Sequence, residues 1–305
     1  MMKNFDIIII GGGPAGASAA IYAASRGVNV AIFEKDEIGG TVGKVSSVTH
    51  YLSVDNNESG ISFSEKLKEQ LKKYKVNIIK EEVKEVVLEG NCKKIITTNG
   101  EYVSKAIILA NGSTPRHLNI PGEKEYLGKG LCKNAGKEGP QYLSKDIFIV
   151  GGADGAIKEA IYLSQFAKRL IIIHFEDELH TIAEFKDKLA TLKNVNLELH
   201  SRLTKIEGNN SIITSIEITD EKTKEKRTIS SEGCGIFIYA GATPNTELYK
   251  NLNLDNGYIM TDKKMGTNIP GVYAAGDICV KDIRQVATAV SDGTIAGINA
   301  VNYIK

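Results

Sequence analysis

The sequence predicts an α/β protein of two doubly wound, three-layer domains, the second inserted in the first. Three observations carry this. An apolar strand, a glycine-rich turn and a helix of small residues follow one another twice, about 140 residues apart. The strands are short and continuously apolar, as in parallel sheets covered on both faces. Near the C-terminus a third strand and glycine turn lead to another small-residue helix, and an end segment returning to the first domain would account for it.

In order, the first unit runs Phe5–Ile10, Gly11–Gly16, a helix to about Arg26 and a strand Val28–Phe33. Lys75–Glu89 and Lys93–Ile107 read as alternating strands, with an Asn99-Gly100 turn of the kind that closes hairpins. The second unit runs Asp146–Val150, Gly151–Ala156, a helix to about Ala167 and a strand Arg169–His174. Asn194–Ser230 again has hairpin character. The chain closes with Gly271–Ala275, the Gly276-Asp277 turn and a helix from about Val286 to Tyr303. The expected domains are residues 1–114 with 241–305, and residues 115–240.

At 305 residues the chain is long enough for two ordinary domains. A net charge of +1 gives no overall attraction to nucleic acid or an anionic membrane. The lysines are scattered among acids, and Lys66–Lys75, their densest stretch, reads as a solvated helix face. No apolar run approaches the ~18 residues of a membrane span. Asp6 and the glycines at 11–13 spoil an N-terminal signal peptide. The four cysteines, Cys92, Cys132, Cys234 and Cys279, form no CxxC and no metal-ligand spacing, so no metal is expected. A reducing cytoplasm is the expected location.

Gly11-Gly12-Gly13-Pro14-Ala15-Gly16 fits G-x-G-x-x-G between strand and helix. Gly11 permits the tight turn, Gly13 lets backbone approach a pyrophosphate, and Gly16 allows close helix–strand packing. The helix N-terminus then offers free N–H groups and a positive dipole end to the phosphates. Glu34, with Lys35 beside it, lies 21 residues after Gly13, where an acid binds ribose hydroxyls. The loop alone does not distinguish FAD from NAD. Its combination with Thr267–Asp277 does, because Asp277 at a strand end can accept bonds from a ribityl chain. The helix beyond it would direct its N-terminus at the flavin, favouring the negative charge of the reduced form.

These residues resemble, over the whole chain, the thioredoxin-reductase-type flavoproteins of the pyridine nucleotide–disulfide oxidoreductase group. The matching stretches are the Gly11 loop, Gly39-Gly40, Ile107–Arg116 with Pro121-Gly122-Glu123, Gly151-Gly152, Pro244-Asn245-Thr246, Ala275-Gly276-Asp277 and Arg284-Gln285-Val286. The resemblance implies bound FAD and a homodimer. It also implies that Asp277 meets the ribityl chain and that Arg284, Gln285 and Val286 sit at the flavin ring. Gly39, Gly40, Ala110, Gly112 and Gly276 would line the cofactor, with Val83 near its adenine. Two positions depart from the pattern: Asn111 stands where threonine is usual, and His50 where an asparagine contacts the flavin region.

In relatives that reduce thioredoxin, two cysteines with two residues between them lie upstream of the second glycine loop. Counting back from Gly151 places Asn134 and Lys137 there, and aligning Cys132 with the first position puts Ala135 in the second. No register supplies a pair, so the expected reaction does not use a dithiol. The second loop has Ala153 where glycine would admit a pyrophosphate. Beyond it, Phe175, Glu176 and His180 replace the arginines that clamp the 2′-phosphate of NADPH in relatives. NADPH is therefore disfavoured. Glu176, 23 residues after Ala153, could serve NADH as a ribose acid; alternatively the domain binds no nucleotide.

Three functions follow as expectations. The first is an electron-transfer flavoprotein reduced by a ferredoxin- or flavodoxin-type protein, or by NADH, and passing electrons to an unknown acceptor. The second is a non-catalytic FAD-bound subunit or sensor that binds a partner. The third is an oxidase or small-disulfide reductase working directly at the flavin.

Overall fold

In the computed structural model, residues 3–56 and 58–305 are described. The chain divides into two compact units, one of residues 1–43, 47–114 and 243–305, the other of residues 44–46 and 115–242.

The central sheet of the first unit takes its strands from both ends of the chain. Asn77–Ile79, Val30–Phe33, Lys3–Ile10 and Glu101–Leu109 lie side by side in parallel. Val272–Ala274 then joins Glu101–Leu109 in parallel, with Val272 opposite Ile107. Ile7–Ile10 are all buried because successive side chains enter opposite faces and both faces are covered. Ile7 and Ile9 pack with Val30, Ile32 and the alanines of two helices. Ile8 and Ile10 pack with Ala31, Phe33 and Leu109 on the other face.

Those helices are α1 (Pro14–Ala24) and, at the far end of the chain, the 19-residue helix Val286–Ile304. Gly293 and Gly297 bring them together: a Cβ on Gly293 would stand 2.1 Å from the Ala15 carbonyl oxygen, and one on Gly297 2.5 Å from that of Ala19. Small residues here serve close helix contact, which explains the alanine-rich α1. Helix α2 (Gly60–Lys73) is capped by Ser59, whose hydroxyl accepts from the Ser62 amide, and it carries the lysine-rich outer face.

The segment Lys75–Glu89, read as alternating strand, holds two strands in different ladders. Asn77–Ile79 enters the parallel sheet, whereas Val83–Val87 pairs antiparallel with Lys93–Thr97. Lys80–Glu82 break the alternation, and the polar stretch between the strands turns the chain from one ladder to the other. The Asn99-Gly100 turn forms as expected, with the Thr97 amide bonded to the Gly100 carbonyl at 2.9 Å.

The second unit has a five-stranded parallel sheet in the order Val195–Glu198, Arg169–Ile173, Asp146–Val150, Gly235–Ile238, Leu131–Cys132. On one face lie α3 (Ala135–Glu138), α4 (Asp154–Leu163) and α5 (Ala183–Ala190), packed over Ile147, Ile149, Leu170 and Ile172. On the other, Phe148, Val150, Ile171 and Ile173 meet the antiparallel meander Ser201–Gly208, Ile213–Asp220, Lys226–Ser230. The C-terminal helix of the first unit, Val286–Ile304, is α6. No described helix is long and apolar enough to cross a membrane.

Candidate functional site

A cleft of about 650 Å³ opens in the first unit, within the ~300–1,000 Å³ usual for small-molecule and cofactor sites. It gathers residues far apart in sequence: Gly11, Gly13, Pro14 and Ala15 from the glycine loop, Glu34 and Lys35 from the end of the second strand, Gly40, and Val83. Ala110, Asn111 and Gly112 come from the end of the central strand, and Gly276, Asp277, Arg284, Gln285 and Val286 from the C-terminal segment.

The glycine loop owes its path to steric necessity. Gly11 has φ 103°, and a Cβ there would lie 2.4 Å from the Ala110 carbonyl oxygen. A Cβ on Gly16 would lie 1.9 Å from the Gly11 oxygen, so α1 packs on the strand only with hydrogen at this position. Gly13 differs: a Cβ would meet nothing within 4 Å. Its hydrogen faces the open cleft at the start of α1, which is the place where backbone must stay clear for a pyrophosphate. Glu34 holds this loop, accepting from the Gly12 amide at 2.7 Å and from the Asp36 amide at 2.8 Å.

The opposite wall carries polar atoms that the protein leaves unpaired. Asp277 Oδ1 and Arg284 Nε are both buried without a hydrogen-bond partner. Burial pushes the Asp277 carboxyl above the usual carboxylate range, only partly offset by Lys281 and Arg284. The Arg284 guanidinium lies over the Tyr258 ring at 4.1 Å. Gln285 caps α6 in a reciprocal box with Thr288, so Val286 begins a helix whose positive end reaches the cleft. Orphaned buried polar groups are rare in folded proteins, and a ligand that bonds to them removes the cost. The residues fit FAD: room at Gly13, an acceptor at Asp277, a donor at Arg284 and a helix end beside them.

Asn111 is tied into the cleft wall. Its amide donates to the Asn245 carbonyl at 2.8 Å, and its oxygen accepts from the Tyr249 hydroxyl at 2.8 Å. Asn245 returns a bond to the Asn111 carbonyl at 2.6 Å. Asn245 and Tyr249, with Glu247 and Leu248 on the cleft wall, are contributions that sequence reasoning missed; only the Pro244-Asn245-Thr246 match hinted at them. Three expected residues do not line the cleft. Gly16 lies beneath it against Gly11, Gly39 packs on Ser64, and His50 is exposed with φ 56°.

Asn134 and Lys137, where the resemblance places a dithiol, belong to a capped helix turn. Asn134 caps α3, its side-chain oxygen accepting from the Lys137 amide at 2.9 Å. Glu138 accepts from the Lys133 and Asn134 amides at 2.8 and 2.6 Å. Cys132 is buried, 3.3 Å from the Tyr142 hydroxyl, and burial pushes its thiol up to about 12. Such a thiol is almost entirely protonated near neutral pH and a poor nucleophile.

At the second glycine loop, Ala153 precedes α4 and forms an isolated parallel bridge with His180. Asp154, the first helical residue, accepts from Thr181 Oγ1 at 2.8 Å and from the Ile182 amide at 3.0 Å. Glu176 Oε2 lies 3.0 Å from His174 Nε2 and 3.1 Å from His180 Nε2. An arginine does stand nearby from another strand: the Arg202 guanidinium lies 4.3 Å from the Phe175 ring centre and pairs with Glu221 at 3.2 Å. Its distance in sequence hid it.

Comparison with known proteins agrees with this architecture. Residues 5–293 match the model of the pyridine nucleotide-disulphide oxidoreductase family. The chain is 38% identical over 305 residues to a Clostridium pasteurianum protein described as "34.2 kDa protein in rubredoxin operon", covering 99% of this chain and 98% of that one. It is 34% identical over 310 residues to the thioredoxin reductase of Peptoclostridium acidaminophilum, covering 100% and 98%. Among solved structures, Lactococcus lactis thioredoxin reductase superposes with a TM-score of 0.94 at 34% identity, over 98% of this chain and 99% of that one. With the doubly wound units and both glycine loops in place, this chain belongs to the pyridine nucleotide-disulphide oxidoreductase family, on the side of its thioredoxin-reductase-like members.

Proposed function

We propose that the chain is an FAD-dependent oxidoreductase that moves electrons between a carrier and an acceptor without a protein dithiol. The observation that carries this is the pairing of a cleft shaped for FAD with a capped helix turn, Asn134–Lys137, where a dithiol would stand. When bound, FAD supplies acceptance and release of electrons singly or in pairs. The protein's part is to hold it. Gly13 leaves room for phosphate, Asp277 offers an acceptor to hydroxyls, and the start of α6 favours negative charge in the cleft.

On the reductant side we favour a small redox protein of ferredoxin or flavodoxin type, with NADH as the other candidate. The family's members include thioredoxin reductases, so a pyridine nucleotide is the family expectation. Several features speak against NADPH here. Ala153 adds a methyl to the loop, and Asp154 places a carboxylate at the helix N-terminus where a pyrophosphate would dock. Glu176 puts further negative charge in the former arginine region. The relative in a rubredoxin operon gives independent support to service with a small electron carrier. A homodimer in the cytoplasm is the working assembly.

Anaerobic additions of NADH, NADPH and reduced ferredoxin to the FAD-loaded protein test the reading through flavin absorbance. Bleaching by reduced ferredoxin or NADH, but not by NADPH, is expected. Rapid bleaching by NADPH would overturn the reading of the second unit. A protein bleached by none of the three would instead be a binding subunit or sensor.

A further inference from the structure

We propose that His174, Glu176 and His180 form a binding site for a divalent transition-metal ion, zinc by preference. The three ligand atoms lie within 4.8 Å of one another. Glu176 Oε2 stands between the imidazoles, 3.0 Å from one Nε2 and 3.1 Å from the other. Tetrahedral zinc with bonds of ~2.0–2.1 Å sets its ligand atoms about 3.3 Å apart. The two glutamate–imidazole separations need to widen by only a few tenths of an ångström, and the imidazole nitrogens lie within 4.8 Å of each other.

His174 supplies the independent observation. Its side chain is 5% exposed, and neither ring nitrogen has a hydrogen-bond partner. The 3.0 Å approach to Glu176 is close but not aligned as a hydrogen bond. A buried imidazole nitrogen aimed at a carboxylate and left unbonded is costly, and a metal ion between them satisfies both.

The backbone holds the three residues in place. His174 follows the strand Arg169–Ile173, its amide bonded to the Glu198 carbonyl at 2.9 Å and its carbonyl to the Ser201 amide at 2.8 Å. Its ring lies flat on Gly152, where a Cβ would come within 2.6 Å. The Glu176 carbonyl accepts from the His200 amide at 3.0 Å, and His180 is bridged to Ala153. The side chains of Glu176 and His180 are 39% and 57% exposed, so water can complete the coordination. Two imidazoles and one carboxylate suit zinc and its neighbours, whereas magnesium and calcium prefer oxygen alone. The site lies outside the flavin cleft, since every residue in it belongs to the second unit, but it shares Glu176 with the case against NADPH, which therefore applies to the metal-free protein.

The test is calorimetric titration of Zn(II) into untagged, chelator-treated full-length protein, with Co(II) absorption as a second readout. One zinc per chain and a tetrahedral or five-coordinate Co(II) spectrum are expected. His180→Ala and Glu176→Gln alter partly exposed side chains and should leave circular dichroism unchanged. Each should weaken binding by about a hundredfold or more, since loss of an outer-shell partner alone costs ~10–100-fold. Cys92→Ala and His200→Ala should leave it unchanged, and millimolar magnesium should not compete. Absence of stoichiometric zinc binding would overturn the proposal and leave an ion-paired cluster. Binding that survives the combined His180→Ala and Glu176→Gln change would also overturn it.

Discussion

Replacing Asn111 by alanine removes two hydrogen bonds that join the central strand of the first unit to its C-terminal segment. The Tyr249 hydroxyl loses its acceptor at 2.8 Å, and the Asn245 carbonyl loses a donor at 2.8 Å. Tyr249 is 1% exposed, so its hydroxyl cannot turn to water. An orphaned buried donor costs ~1–3 kcal/mol and an ordinary lost bond about 1 kcal/mol, giving a destabilisation of about 2–4 kcal/mol. Tyr249→Phe removes the stranded hydroxyl. In that background Asn111→Ala should cost ~1–2 kcal/mol less than it does alone, the mark of a direct bond. Urea unfolding of the four proteins checks this, with release of FAD reporting on the first unit. Effects that add to within about 0.5 kcal/mol would refute the claim that these side chains form the clasp.

Three further outcomes follow from the same structure. Gly13→Val should fold with near-native circular dichroism yet lose FAD, because its side chain enters open cleft; Gly16→Ala should lose the fold's stability instead, meeting the Gly11 oxygen. Equal FAD content in the Gly13 variant and the wild type would contradict this. Burial raises the folded-state pKa of Asp277 above its unfolded value, so ionising it costs the FAD-free chain stability as pH rises through the carboxylate range and beyond. Asp277→Asn should thus raise the melting temperature of the FAD-free protein at pH 7 and reduce the increase that added FAD brings. Finally, Cys132, Cys234 and Cys279 are buried with thiols pushed up to about 12, whereas Cys92 is exposed. At pH 8 only ~10⁻⁴ of each buried thiol is ionised, so a native thiol titration should find Cys92 alone to react readily. A second fast thiol would contradict the inertness of Cys132.

The parallel strands were legible because Ile7–Ile10 and Ile147–Val150 are apolar without interruption, and burial on both faces leaves no alternative. The cleft was legible where a residue type is forced, as at Gly11, with Gly16 setting the helix packing beneath it. It was hidden where a position works through partners remote in sequence. Asn111 looked like a mild departure until Asn245 and Tyr249 appeared beside it. Glu176 read as a lost clamp or a ribose acid, because spacing does not reveal that His174 and His180 converge on it. The division of Lys75–Glu89 into two strands depends on which ladder each half joins, and local alternation does not encode that.

The central claim is a flavin site with no thiol partner, and a count of electrons tests it most directly. Anaerobic reductive titration of the purified FAD-loaded protein should end after about two electrons per bound flavin. Uptake of about four, with the second pair entering a disulfide, would contradict the account.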